Sequence, residues 1–224
     1  MSRYLLILCL LVSSASFGQQ RLYTVVRSKQ DYLNSVKGMP AKEMVNLQTF
    51  IPGIRLDIRY ATANNCTHTV LYSQPVAFLR KSAATALKSV QEELGKQHLE
   101  LVIFDAYRPL SVTGKIWNSV QDARYAAWPG NGSGHNRGLS VDLTLADKRT
   151  GIPLDMGTGF DSFSDSSAYS FPGISKQAQT GRKLLRTIML KHGFKPLSTE
   201  WWHFSYPGND TYEVLDIEMN EFAK

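Results

Sequence analysis

Ser133-Gly134-His135-Asn136-Arg137-Gly138-Leu139-Ser140-Val141-Asp142 carries a histidine and, seven positions on, an aspartate. Both are zinc-ligand types. In one straight strand, positions seven apart point to opposite faces. In a helix they share a face, but Gly134, Asn136 and Gly138 argue against a helix. A glycine turn that swings His135 round to meet Asp142 satisfies both constraints. Asp142 then lies on a strand within the apolar run Leu139 to Leu145. Taken alone, the pair is a weak signal, and a turn histidine with a strand-edge aspartate that bind nothing is the commoner reading.

The chain around this stretch alternates strands and helices. Upstream, Leu99 to Phe104 reads as a short buried strand, running into Asp105-Ala106-Tyr107-Arg108-Pro109, where proline stops it. Ile54 to Tyr60 alternates apolar and polar residues, the mark of a half-buried strand. Ala77 to Gln97 sets Leu79, Ala83, Ala86, Leu87, Val90 and Leu94 at helical spacing before Gly95. Further helices are expected over Lys29–Val36, Ser111–Tyr125 and Gln177–His192, the last ended by Gly193. Gly157 to Gly173, rich in Gly, Ser, Asp and aromatics, reads as a long loop. Glu200-Trp201-Trp202-His203-Phe204 reads as a terminal core strand. Interspersed elements with irregular connections predict a single α+β domain, a mainly antiparallel sheet flanked by helices.

The first residues predict export. Met1-Ser2-Arg3, the apolar run Tyr4 to Val12 and the small residues to Gly18 describe a secretory signal peptide over residues 1–18. The apolar run is too short to span a bilayer. Residues 19–224 are then one exported domain, expected in the periplasm or cell envelope of a bacterium. Cys66 is the one cysteine left, which excludes an intramolecular disulfide. The formal charge is +6 over the whole chain, and the basic residues are scattered rather than clustered. That excludes a nucleic-acid stripe and leaves weak attraction to anionic wall polymers.

A catalytic zinc typically takes three protein ligands and keeps one position open. His98 and His192 sit at expected helix ends, where a positive charge suits the dipole. His68 lies in a turn without an acidic neighbour. His203 differs, because it follows Glu200 by three residues. A carboxylate beside a bound metal can take a proton from water, so this pair would supply a ligand and a general base. In a regular strand the two would face opposite ways, so the backbone must turn nearby, with Ser198-Thr199 as the expected place. The alternative is a surface carboxylate and a core histidine. For Arg108 the alternative is a structural arginine beside Asp105.

Together, His135-x6-Asp142, Glu200-x2-His203 and Asp105-Ala-Tyr-Arg108-Pro109 resemble the VanX-type D-alanyl-D-alanine dipeptidases of the zinc D,D-peptidase superfamily. The resemblance runs from about Arg55 to Tyr206. It includes Arg59-Tyr60-Ala-Thr, Asn64-Asn65, Ser133-Gly-His-Asn-Arg-Gly, Val141-Asp-Leu-Thr-Leu145, Asp155-Met-Gly-Thr-Gly-Phe-Asp161 and Gly193-Phe194. It implies one zinc ion per chain in a central cleft, held by His135, Asp142 and His203. It also implies Glu200 as the base and Arg108 as the transition-state stabiliser. Asp161 and Tyr60 would receive the substrate ammonium, with Ser133 near its carboxylate. The implied partner is a small D,D-dipeptide, with no nucleic acid, stable membrane insertion or obligate protein partner. Related possibilities are a D,D-carboxypeptidase or L,D-endopeptidase on longer peptidoglycan stems. A non-catalytic wall-binding module is a possibility of another class, and an intact Glu200 argues against it. Two departures bear on substrate range: the segment between Arg108 and Ser133 is short for the family, and Cys66 stands where an aromatic is expected.

Overall fold

The structure is a computed structural model that describes residues 23–209 and 211–222. In chain order its elements are β1 (Val25–Val26), α1 (Lys29–Val36), β2 (Met44–Asn46), α2 (Leu47–Phe50), β3 (Arg55–Leu56), β4 (Phe78–Arg80) and α3 (Lys81–Gly95). They continue with β5 (Leu99–Asp105), α4 (Leu110–Val120), β6 (Ser140–Asp147), α5 (Lys176–Lys191), β7 (Lys195–Pro196), β8 (His203–Ser205) and β9 (Val214–Leu215). The central sheet has the order β3-β5-β6-β8-β7. Only β3 runs parallel to its neighbour; the other three pairings are antiparallel. This is the expected α+β domain. No helix of the described residues is long and apolar enough to cross a membrane. The expected signal peptide, residues 1–18, lies outside the described residues.

The core is built on β5 and β6. Leu101, Ile103, Val141, Leu143 and Leu145 are fully buried. Burying such a side chain contributes about 1.5–3 kcal/mol each relative to exposure. α3 packs on β5, α5 packs on β6 and β7, and the two helices touch. α3 presents Ala83, Ala84, Leu87, Val90 and Leu94 inward, as its spacing predicts. Lengths differ from the sequence expectation in four places, one being the terminal strand expected over Glu200–Phe204, which begins only at His203 because Trp201 and Trp202 form a turn. Phe78–Arg80 is a strand rather than helix, because Met44–Asn46 supplies an antiparallel partner. The strand expected over Ile54–Tyr60 shrinks to Arg55–Leu56, since β5 leaves register after Ile103 and takes its ladder away. Residues Arg59–Ala61 instead make one 3-10 turn, which turns Tyr60 inward to 2% exposure. α4 stops at Val120, because Gln121 adopts left-handed backbone and returns its N–H to the Trp117 carbonyl.

The site depends on one irregularity. The β5–β6 ladder runs regularly from Leu99↔Asp147 to Ile103↔Leu143 and then shifts, so that Asp105 faces Asp142. Such a bulge re-aims side chains at a sheet end. On the other side of β6, Asp142 faces His203 of β8. Three strands therefore bring Asp105, Asp142 and His203 into one row.

Candidate active site

The loop before β6 is held in place by its own backbone. The Gly134 carbonyl accepts the N–H groups of Arg137, Leu139 and Ser140 at 3.2, 2.9 and 3.2 Å. Gly138 has φ +69, a left-handed conformation that favours glycine, and a Cβ there would also press on the Met44 sulfur at 2.9 Å. Asn136 is fully buried and ties the loop to its surroundings. Its Nδ2 donates to the Arg108 carbonyl (2.8 Å) and to Thr113 Oγ1 (2.7 Å). Its Oδ1 accepts from the Ser133 N–H (2.9 Å) and hydroxyl (3.1 Å).

This loop aims His135 into the row of strands. His135 Nδ1 lies 2.6 Å from the Ala106 carbonyl, which can only accept, so Nδ1 carries the proton. The bare Nε2 then faces Asp142 Oδ2 at 3.4 Å and His203 Nδ1 at 3.2 Å. His203 Nδ1 lies 2.9 Å from Asp142 Oδ1. Its other nitrogen has Ser205 Oγ at 3.1 Å as an acceptor, so His203 can hold its proton on Nε2 and turn Nδ1 to the cluster. Ser205 Oγ is in turn 2.6 Å from Ser140 Oγ. The candidate ligand atoms of His135, Asp142 and His203 all lie within 4.8 Å of one another, and these residues could hold a metal ion. Two imidazoles and a carboxylate, with the second nitrogen of each ring held by the protein, is the donor chemistry of a catalytic zinc site. Burial pushes the His203 imidazole below its ordinary value despite its bonds to Asp142, which favours the neutral ligand form. Burial also pushes His135 down, but Asp142 outweighs it and the net shift is upward. Desolvation would raise Asp142, yet the two histidines hold it far below the usual carboxylate range.

Glu200 and Arg108 flank this cluster. The turn that the sequence demands falls on Trp201 and Trp202, with the His203 N–H returning to the Glu200 carbonyl at 3.4 Å. That turn sets both side chains on one side, and Glu200 Oε2 lies 4.0 Å from His203 Nδ1. Glu200 is 6% exposed. Burial, then the charges of Asp142 and Asp161, push its carboxyl well above the ordinary range. The Arg108 guanidinium donates from Nε (2.9 Å) and Nη2 (2.6 Å) to the same Asp105 oxygen. Tyr72 donates to the other Asp105 oxygen at 2.7 Å. Nη2 also lies 3.8 Å from Asp142 Oδ2, and Nη1 has no hydrogen-bond partner among the described residues. Burial works against the Arg108 cation, but Asp105 and its other neighbours hold its pKa well above the ordinary value. The arginine is thus both structural and turned to the site.

Opposite the cluster stand Tyr60 and Asp161. Asp161 adopts left-handed backbone, φ +57, which aspartate tolerates better than most residues. Its Oδ1 accepts from the Tyr60 hydroxyl at 3.4 Å, and its Oδ2 from the Cys66 N–H at 3.2 Å. Burial, with help from Asp142, raises its carboxyl to about 6. The Arg108 guanidinium stacks over the Tyr60 ring at 4.9 Å. Tyr60, Arg108, Ser133, His135, Asp142, Asp161, Glu200 and His203 all line one cavity of about 290 Å³. A cleft of this size with converging titratable groups suits a small polar ligand.

A family model described as D-ala-D-ala dipeptidase matches residues 40–224. The chain belongs to the D-Ala-D-Ala dipeptidase family. The D-alanyl-D-alanine dipeptidase of Escherichia coli (strain K12) is 39% identical over 180 residues, which cover 80% of this chain and 93% of that one. That of Enterococcus faecalis (strain ATCC 700802 / V583) is 29% identical over 189 residues, covering 74% and 94%. A solved LdcB LD-carboxypeptidase is similar at 20% identity and TM-score 0.43, covering 74% of this chain and 68% of that one.

Both sequence departures from the family pattern have a place in this dipeptidase. The short segment after α4 forms one cavity wall, where Tyr125 stacks on Phe163 with ring centroids 5.0 Å apart. Cys66 sits beside Tyr60 and Asp161, its sulfur 3.9 Å from the Tyr60 hydroxyl. Burial pushes its thiol up to about 12. Sequence reasoning missed Asn136, Ser205 and Tyr72 as parts of the dipeptidase site. Asn136 lay inside the opening motif, but its partners are Arg108 and Thr113, and no spacing announces them.

Proposed function

We propose that the protein is an exported zinc peptidase that hydrolyses D-alanyl-D-alanine and related wall dipeptides, with the following division of labour. His135 Nε2, a carboxylate oxygen of Asp142 and His203 Nδ1 hold one zinc ion per chain. Bound there, zinc supplies a Lewis acid at the scissile carbonyl. Glu200 takes a proton from the attacking water on its carboxylate and passes it to the leaving amine. Arg108, braced by Asp105, offers its Nη1 to the developing oxyanion without having to reorganise. Asp161, with Tyr60 behind it, accepts the substrate ammonium. Ser133 turns its hydroxyl proton from Asn136 Oδ1 to the substrate carboxylate.

The observation that carries this reading is the convergence of two imidazole nitrogens and a carboxylate within 4.8 Å, beside a buried glutamate, in a member of this family. The chain's basic start and short apolar run support export. The test is turnover of D-Ala-D-Ala, N-acetyl-D-Ala-D-Ala and a muropeptide, read by product mass, before and after chelation and zinc return. Cleavage confined to free dipeptides and lost with the metal is expected. Release of terminal D-alanine from the muropeptide at a comparable rate would replace the dipeptidase reading with the carboxypeptidase one. Binding without turnover would leave only a wall-binding module.

A further inference from the structure

Arg182 lies inside α5 with 2% of its surface exposed, and no ion pair reaches it among the described residues. A buried cation without a direct ion pair, with only the nearby charge of Asp155, needs its hydrogen bonds filled to be tolerable. Here they go to one segment. Nε donates to the Met156 carbonyl (2.7 Å), Nη1 to the Ala168 carbonyl (2.8 Å) and Nη2 to the Ser166 carbonyl (2.9 Å). Thr158 Oγ1 lies 3.5 Å from Nη2. These acceptors sit at both ends of residues 156–168, and Asp161 lies between them. Inside that span the regular structure is one 3-10 turn, Asp165–Ser167. The bonds on the Asp161 carboxylate itself are long, 3.2 and 3.4 Å.

A second set of bonds joins the same span to the turn that carries Glu200. The Trp201 indole N–H donates to Thr158 Oγ1 at 2.8 Å, and its backbone N–H to the Ser167 carbonyl at 3.0 Å. The Arg182 guanidinium faces the Trp201 ring with 5.8 Å to its centroid.

We infer that Arg182 is a positioning residue for amine recognition: its guanidinium staples the two ends of residues 156–168 so that Asp161 stays at a fixed distance from the catalytic groups. The inference rests on the reading of Asp161 as the ammonium acceptor. A planar fork can reach several carbonyls at once, whereas lysine offers a single point charge. R182K therefore keeps the charge and loses the staple.

The test compares kcat and KM of the zinc-loaded enzyme, R182K and T158V on D-Ala-D-Ala and on N-acetyl-D-Ala-D-Ala, with metal content measured alongside. Displacing a positioning group by about 1 Å can cost roughly a hundredfold. R182K should lose on the order of ten- to a hundredfold in kcat/KM on the free dipeptide, mainly through KM. Its rate on the acetylated substrate should change little, so the preference for a free amine shrinks while zinc stays bound. T158V, which removes one acceptor and the Trp201 link, should shift the same ratio less. If R182K does not accumulate, the T158V ratio decides. Equal losses on both substrates, or an unmoved preference, would overturn the role of Arg182 alone. An unmutated enzyme without any preference for the free amine would overturn the Asp161 reading and this inference together.

Discussion

The two sides of the cleft are built in different ways. On the metal side, Asp105, Asp142 and His203 are direct cross-strand partners on β5, β6 and β8. His203 lies 2.9 Å from Asp142; His135, brought in by the loop before β6, is fixed by the Ala106 carbonyl at 2.6 Å and lies 3.2 Å from His203 and 3.4 Å from Asp142. On the side proposed to take the substrate amine, Tyr60, Cys66 and Asp161 sit on connecting segments, and their mutual contacts are 3.2 to 3.9 Å. A sheet ladder places a side chain once its register is set. A connecting segment places one only through cross-links to distant elements, as Arg182 and Trp201 provide here. The metal side should therefore tolerate loss of peripheral bonds better in shape than in affinity. The amine side should respond in selectivity.

The largest expected effect separates ligand from base within one turn. His203→Ala should lose both bound zinc and hydrolysis. Glu200→Ala should keep the zinc and still lose roughly a hundred- to ten-thousandfold in kcat. Metal analysis and single-turnover assays check both, and substantial activity in Glu200→Ala would remove it as the base. Next comes Arg108, which belongs to both sides. Arg108→Ala should lower kcat on the order of a hundred- to a thousandfold, as expected for one oxyanion donor. It should also lower thermal stability, because Asp105 is left fully buried without its cation. Unchanged kcat with reduced stability would make Arg108 purely structural.

A smaller effect probes the support behind the ligands. Ser205→Ala removes the acceptor of His203 Nε2 and should weaken zinc binding about ten- to a hundredfold. Competition with a chelator of known affinity measures this, and an unchanged zinc affinity would show that the ladder alone orients the ring. Then comes the pH response of the amine side. Asp161 has its carboxyl raised to about 6 from the ordinary 3.8, so it loses its charge as pH falls through 6. The ratio of kcat/KM for free over N-acetylated dipeptide should fall about tenfold between pH 7 and pH 5. The acetylated substrate cancels titrations common to both, and a flat ratio would exclude Asp161 as the ammonium partner. The smallest expected effect is at Cys66. With its thiol pushed up to about 12, it should react with iodoacetamide at pH 8 far more slowly than a free thiol. Fast alkylation would mean that the amine side opens in solution.

His135-x6-Asp142 and Glu200-x2-His203 were legible because each depends on local geometry. Seven residues with two glycines must turn back, and three residues in an aromatic strand must bend. The backbone bends at Ser198-Thr199 as expected and turns again through Trp201 and Trp202, where the Trp201 N–H pairs with Ser167 across the chain. The α3 and α5 stripes were legible from helical period, while their ends were not. Phe78–Arg80 became a strand through Met44–Asn46, more than thirty residues away.

Residue types and short-range periodicity by themselves determined the α+β class, the helices that cover the sheet and His135, Asp142, Glu200 and His203 as candidates, while Asp161, Tyr60 and Ser133 came from the family resemblance. Tertiary structure alone decided that Asp105 faces Asp142 through a bulge, that Asn136 locks the His135 loop to Arg108, and that Arg182 closes the segment bearing Asp161. Periodicity reports which face of an element is apolar, since that follows from neighbours along the chain. A buried hydrogen bond between residues such as Arg182 and Met156 has no periodic trace, because its partners are chosen by how the elements pack.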